Sequence, residues 1–289
     1  MSRVSVSISS DIGADKVSAL RYIKVVADEM GIPFIVVGAF ARDMFYNHIH
    51  QIPSPRRTLD IDLGVEVADW EEFNRLTGTL TGQAYLIATP SPHRFVTKED
   101  VVVDIVPYGK IAGEAKTVSW PPEHETVMSM VGFEEAYASA LQVTLSDDPV
   151  LKILMPSAPA LALLKLISWD DSYPRRERDA QDLLFMMENY EGTGIEDLIY
   201  DDHAELLEQE KYDPRLVSVR LLGRYIAELC SNDTLQVVAE ILARETDEDG
   251  ELRLLTHMVK GAPLGGTQFF NSLVLLQKLQ QGVQEQSAM

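Results

Sequence analysis

The chain has 289 residues, with 25 Lys or Arg against 45 Asp or Glu, and a formal net charge of −20. Its 46% hydrophobic and 24% charged residues are ordinary for a globular protein, which excludes a disordered or fibrous chain, and the length suits about two domains. The single cysteine, Cys230, excludes a disulfide framework or a Cys-rich zinc site. A pI near 4.6 argues against broad nonspecific binding to a nucleic-acid polyanion, but not against a local basic cleft or a cationic small substrate. The first residues carry no apolar signal core, and the most apolar stretch, Lys152 to Trp169, is interrupted by Pro156, Pro159 and Lys165. Neither secretion nor a membrane span is expected, and the setting reads as cytoplasmic.

In chain order, Lys16 to Met30 sets Val17, Leu20, Ile23, Val26 and Met30 at helical spacing, and Gly31-Ile32-Pro33 ends that helix. Phe34 to Ala39 is a short continuous apolar run, as in a strand buried on both faces. Phe40 to His48 reads as helix, and Gln51 to Arg57, with two prolines, as loop. Thr58 to Val65 alternates and predicts a strand, with Leu59, Ile61 and Leu63 facing the core. Asp69 to Leu76 predicts a helix with Asp69 as its N-cap. Ala84 to Ala88 and Arg94 to Thr97 are short strand candidates, and Val101 to Pro107 is a strong one because three β-branched residues in a row favour a sheet. Strand-like runs follow at Thr126 to Val131, Ala140 to Leu145 and Leu151 to Met155. Beyond Ser157 the pattern is helical: Ala158 to Asp170, Arg175 to Tyr190, Leu216 to Cys230, Thr234 to Ala243 and Gln268 to Gln280. The expected class is α+β, a mixed-sheet domain over residues 1–157 followed by a helical domain over 158–289.

The sharpest chemical feature is Asp60-Ile61-Asp62. On a strand, positions i and i+2 share a face about 7 Å apart, so two carboxylates repel unless a cation lies between them. Oxygen-only donors suit Mg²⁺. The bland alternative for such a pair is a solvated strand face. Asp104 raises the odds: it stands alone within the apolar run Val101 to Val106, where an unpaired ionised carboxylate is costly. If its strand neighbours that of Asp60, three carboxylates converge, enough to hold two cations about 4 Å apart for an in-line phosphoryl displacement. A third feature is Gly38-Ala39, where a strand passes into a helix whose free N–H groups can seat phosphate oxygens.

Together these residues resemble the nucleotidyltransferase superfamily related to polymerase beta: strand, glycine turn, helix, then D-x-[DE] on a strand and a third acid on a later strand. The likeness covers roughly residues 34 to 109. Within that superfamily the chain looks most like the AbiEii/AbiGii toxin-type nucleotidyltransferases, through Arg57-Thr58-Leu59-Asp60-Ile61-Asp62, the lysine helix around Lys165 and Arg178-Asp179-Ala180-Gln181-Asp182-Leu183. Leu221-Leu222-Gly223-Arg224 is similar to a further C-terminal motif of that group. Ala39 departs from the usual Gly or Ser, removing a hydroxyl contact while keeping the backbone N–H, and Arg178 stands where a lysine is usual. Gly38 to Asp43 also resembles the G-G-x-x-R-D turn of CCA-adding enzymes and poly(A) polymerases, whose later signatures are not evident.

The resemblance implies that Asp60 and Asp62 hold two Mg²⁺ ions. Asp104 joins the ion that activates the attacking hydroxyl, and can take its proton. Gly38, Ala39, Arg57, Thr58 and Lys165 would contact the phosphates of an NTP, with Asp179 and Asp182 in support. Lys165, amid Leu163, Leu164, Leu166 and Ile167, could equally snorkel to water, and Asp182 could lie on a solvated face. His48-Ile49-His50 is not a convincing metal site. The implied acceptor is RNA, such as tRNA, with a cognate antitoxin protein as partner. A small cationic acceptor, as in aminoglycoside-modifying members, suits the acidity better and is the alternative, beside a catalytically idle nucleotide-binding or interaction module.

Overall fold

The computed structural model describes residues 3–8, 12–122, 124–261 and 266–287, and the chain divides into two units, Met1–Ser157 and Ala158–Met289. The first is α+β with mixed sheets and the second is helical.

The first unit opens with strand β1 (Ser5–Ser7) and helix α1 (Ala14–Met30). Leu20, Ile23, Val26 and Ala27 give α1 its buried stripe. Its end is a Schellman turn: Gly31, at φ 66°, donates its N–H to the Asp28 carbonyl, and the Ile32 N–H reaches the Ala27 carbonyl. Strand β2 (Phe34–Val37) is buried at every position and runs directly into helix α2 (Gly38–Asp43). The helical path then continues as a π-helical turn, Met44–Ile49. After a loop come β3 (Ile61–Glu66), α3 (Trp70–Gly82), the short β4 (Ile87–Ala88) and β5 (Arg94–Val96), and then β6 (Val102–Tyr108). Asp69 caps α3 by accepting the Glu72 N–H at 2.9 Å, while Glu72 reaches back to the Ala68 N–H at 2.8 Å.

These five strands form one sheet in the order β2-β3-β6-β5-β4, with β3 and β6 parallel and the other pairings antiparallel. One face carries Ile61, Leu63, Phe95, Val103 and Ile105, all buried. On the other face Gly64 leaves room for the Phe133 ring, which would lie 2.9 Å from a Cβ at that position. The unit is completed by β7 (Thr117–Ser119), β8 (Val127–Ser129), α4 (Phe133–Ala138), β9 (Leu141–Asp147) and β10 (Val150–Met155). β1, β9 and β10 make a second sheet, and β7 pairs with β8.

The second unit contains α5 (Ala158–Asp171), α6 (Glu177–Asn189), α7 (Ala204–Gln209), α8 (Pro214–Leu229), α9 (Asn232–Glu245), α10 (Arg253–Met258) and α11 (Thr267–Ser287). Helices α8 and α11 touch backbone to backbone. A Cβ on Gly282 would lie 1.9 Å from the Arg220 carbonyl oxygen, and one on Gly223 2.2 Å from that of Leu279. The Leu-Leu-Gly-Arg segment therefore has a packing role. Glu285 of α11 accepts from Arg220 and, at 2.7 Å, from Arg224.

Some elements differ from the periodicity. The strand expected from Thr58 begins at Ile61, so Leu59 is 69% exposed instead of facing the core. The expected strands at 84–88 and 126–131 shrink to Ile87–Ala88 and Val127–Ser129. β1, β7, α4, α7 and α10 form where the pattern pointed to no element; each has six residues or fewer, too short to show a period.

Candidate functional site

The register of the central strands builds the site. Asp62 on β3 is the pairing partner of both Val37 on β2 and Asp104 on β6. In turn, Asp104 pairs with Arg94 on β5. Asp62, Asp104 and Arg94 therefore stand in a row across three strands on one face, and Asp60 precedes the first strand residue on the same side.

One oxygen from each of Asp60, Asp62 and Asp104 lies within 4.8 Å of the others, and among the described residues this is the one His, Cys, Asp or Glu group placed to hold a metal ion. Asp104 is buried, and the other two are half-buried. At an effective dielectric near 20, each pair of such charges repels by on the order of 3 kcal/mol, so the cluster calls for cations. Its all-oxygen donor set fits a hard divalent ion such as Mg²⁺.

Gly38 makes that geometry possible. It sits at φ +70°, and a Cβ there would lie 2.0 Å from Asp62 Oδ2. A side chain at 38 and the carboxylate of Asp62 cannot share this space. Ala39 follows in the first turn of α2.

Asp60 lies outside the strand, and two cations tie down the loop that delivers it. Lys16 of α1 donates to the Thr58 carbonyl at 2.7 Å, with its ammonium 4.8 Å from the centre of the Phe40 ring. Arg42, fully buried, donates to Asp43 and, at 3.5 Å, to the Arg56 carbonyl. Burial pushes the Lys16 ammonium below the ordinary lysine range, as does the charge of Arg57, although Asp15, Asp43 and Asp60 pull the other way. Arg57 itself is exposed, and Thr58 is buried, its hydroxyl without a hydrogen-bond partner among the described residues.

Asp104 carries a guanidinium on both oxygens. Arg94 donates from Nε to Oδ1 at 2.8 Å and from Nη2 to Oδ2 at 2.6 Å, a bidentate fork. That pairing raises the Arg94 pKa against the opposing cost of burial, and Asp60 and Asp62 add to the rise.

Lys165, Asp179 and Asp182 form a separate cluster within the helical unit. The Lys165 ammonium lies 2.6 Å from Asp179 Oδ1 and 2.8 Å from Asp182 Oδ2, and all three side chains are at most 8% exposed. The Ser168 hydroxyl donates to Asp179 at 3.0 Å, and Arg176 approaches the same carboxylate at 3.5 Å. Burial pushes the Lys165 pKa down, but Asp179 and Asp182 outweigh it and the net shift is upward. Burial likewise pushes Asp179 up, and Lys165 with Arg176 carries it below the usual carboxylate value.

Sequence reasoning missed Lys16, Arg42 and Arg94 as site residues. A signal for Arg94 exists: a hairpin turning about Glu99 pairs position 94 with 104, and a carboxylate buried in an apolar strand needs a base across from it. Nothing local marks Lys16, which is 42 residues from the carbonyl it grips.

No family model matches the sequence, and no curated protein matches it. Among solved structures, it is similar to the lincomycin-bound lincosamide antibiotic adenylyltransferase LnuA, at 17% identity and a TM-score of 0.34 over 57% of this chain and 94% of that one. It is similar to the antibiotic-resistance factor ANT(2″)-Ia, at 14% identity and 0.33 over 68% of this chain and 97% of that one. A third similar structure is the Thermotoga maritima CCA-adding enzyme complexed with tRNA, at 12% identity and 0.26 over 96% of this chain and 83% of that one. At these scores the likeness decides nothing about chemistry, which has to be read from the side chains.

Proposed function

We propose that the chain is a divalent-metal-dependent nucleotidyltransferase that moves a nucleoside monophosphate from an NTP to an acceptor hydroxyl. The observation that carries this reading is the convergence of Asp60, Asp62 and Asp104 oxygens within 4.8 Å, beside a glycine turn that opens a helix. Asp60 and Asp62 would hold Mg²⁺, and Asp104 would complete the set for two ions. Bound there, Mg²⁺ would lower the pKa of the attacking hydroxyl and offset charge on the transferred phosphoryl group. The backbone N–H groups of Gly38 and Ala39 would seat the outer phosphates. Arg57, on the exposed loop, would contact them, and Thr58, held through its carbonyl by Lys16, would keep Asp60 in place. Asp104 would receive the proton of the acceptor hydroxyl. Lys165, whose ammonium is taken up by Asp179 and Asp182, serves the helical unit in this reading rather than the phosphates.

For the acceptor, the toxin-type resemblance points to RNA, tRNA in particular, with an antitoxin protein as partner. The charge of −20 favours instead a small cationic hydroxyl compound, because a polyanion is repelled at long range. No described helix is long and apolar enough to cross a membrane; a cytoplasmic setting belongs to the same proposal. The test incubates the protein with each labelled NTP, Mg²⁺ and either total tRNA or a panel of cationic aminohydroxyl compounds, beside an Asp60→Asn variant. Label transferred by the wild type and not by the variant supports the reading, and the productive arm names the acceptor class. No NTP binding and no transfer in either arm would overturn it in favour of an idle interaction module.

A further inference from the structure

We propose that Arg94 is a phosphate-binding residue, gripped by Asp104 along one edge of its guanidinium and open to a phosphoryl group along the other. This inference rests on the metal-dependent reading above. The chemistry recognised is the same whether the phosphoryl oxygens belong to the NTP or to a nucleic-acid acceptor.

The geometry of one side chain carries the proposal. Arg94 donates to Asp104 from Nε at 2.8 Å and from Nη2 at 2.6 Å, using two of the five N–H groups that a guanidinium holds. The other three lie on Nη1 and Nη2, where they make a second fork in the same plane. Among the described residues nothing accepts from Nη1. The two partners differ in burial: the Asp104 side chain is 11% exposed and that of Arg94 45%, so the second fork opens toward solvent. Strand register sets the pair, Arg94 facing Asp104 across β5 and β6, and the buried acid fixes the plane of the guanidinium. A side chain held in this way in advance loses little further freedom when it binds, unlike a loose surface arginine. An Asp104 oxygen lies within 4.8 Å of one on Asp60 and one on Asp62, so the open fork borders the place where a divalent ion and its phosphate would sit. A planar fork that fits a carboxylate fits a phosphate bidentately as well. Arg215 makes the same kind of fork to Asp213 in the helical unit, at 3.2 and 2.9 Å, and is the control for charge alone.

Binding of inorganic tripolyphosphate and of a fluorescent single-stranded oligoribonucleotide is measured on the full chain at saturating Mn²⁺. Mn²⁺ binding itself is followed separately by the spin-resonance signal of the free ion. Wild type, Arg94→Gln, Arg94→Lys, Arg215→Gln and Asp60→Asn are compared, their folding checked by circular dichroism. Arg94→Gln is expected to weaken phosphate binding about tenfold to a hundredfold, the range for hydrogen bonds between charged groups, while Mn²⁺ affinity without phosphate does not fall. Arg94→Lys, which keeps the charge but loses the fork, should fall between wild type and Arg94→Gln, and serves if the glutamine variant does not fold. Arg215→Gln should bind as the wild type does. A loss with tripolyphosphate assigns the phosphate to the NTP, and a loss confined to the oligoribonucleotide assigns it to the acceptor; both support the role. No loss with either probe, an equal loss in Arg215→Gln, or a matching fall in Mn²⁺ affinity without phosphate overturns the proposal and leaves the metal reading intact. Undiminished Mn²⁺ binding by Asp60→Asn overturns both.

Discussion

In the helical unit one ammonium, Lys165, lies between two carboxylates at 2.6 and 2.8 Å, with Arg176 beside one of them and every member of the inner trio at most 8% exposed. In the α+β unit three carboxylates converge, Asp104 held by the Arg94 guanidinium, and two of them are only half-buried. Both clusters join aspartates to a base, but the first sets two bases against two acids while the second draws three acids together. Where charge is balanced and sealed from water, removing one member strands the others, so the cluster behaves as part of the core. Where acids crowd together and water reaches them, their repulsion is tolerated by solvent and the cluster becomes a place for cations. Balance and burial together, more than the presence of aspartate and lysine, separate a structural cluster from a chemical one.

The largest effect should come from breaking the balanced side. Lys165→Met leaves two buried carboxylates facing each other and should cost about 3–5 kcal/mol of stability in urea denaturation; a loss under 1 kcal/mol would mean that water already reaches the site. Next is Gly38→Ala, which combines a left-handed φ with a Cβ 2.0 Å from the Asp62 carboxylate. It should lose about 1–3 kcal/mol through strain and, by displacing Asp62, abolish stabilisation by Mg²⁺ in a thermal melt. Asp60→Asn sharpens the contrast from the crowded acidic side: removing a half-buried charge from a repelling trio should change stability by no more than about 1 kcal/mol while eliminating Mg²⁺ binding. A comparable change at Asp182, which is fully buried, should be far more destabilising.

The smallest effect is in pH. Asp179 has its pKa lowered on folding, so its contribution is fully present above the ordinary value of 3.8 and lost as pH falls through the lower folded value. Lys165 has its pKa raised, so its contribution is present below 10.5 and lost as pH rises through the higher folded value. The stability difference between wild type and Lys165→Met should therefore be largest near neutral and mildly alkaline pH. It should shrink on the acid side as the variant's two facing carboxylates and then Asp179 of the wild type protonate, and shrink again as Lys165 loses its proton, as measured by denaturant titrations across pH. A difference that keeps its full size at pH 2 would contradict the assignment.

How much of this was legible in the sequence varies by element. The buried strand Phe34–Val37, the Asp69 cap and the helical path from Ala158 onward follow from local pattern, because a periodic apolar stripe or a capping side chain acts within a few residues. Leu59 shows the limit of alternation. The period assigns a face only where a ladder exists, and the ladder begins two residues later. β1 shows another, since it is three residues long and pairs with a strand more than a hundred residues away.

The aspartate pattern itself, Asp60-Ile61-Asp62 with a third acid in an apolar strand, was set by sequence alone, and an acid in an apolar run demands a partner. Which partner it finds was decided only by the tertiary structure. Strand order set Asp104 beside Asp62 on one flank and Arg94 on the other, closure around Asp62 left no room for a side chain at 38, and the α5–α6 pairing enclosed Lys165 between two acids. Local sequence chooses the face a side chain points to; the neighbours it meets there depend on contacts between segments distant in the chain, which no short-range pattern encodes.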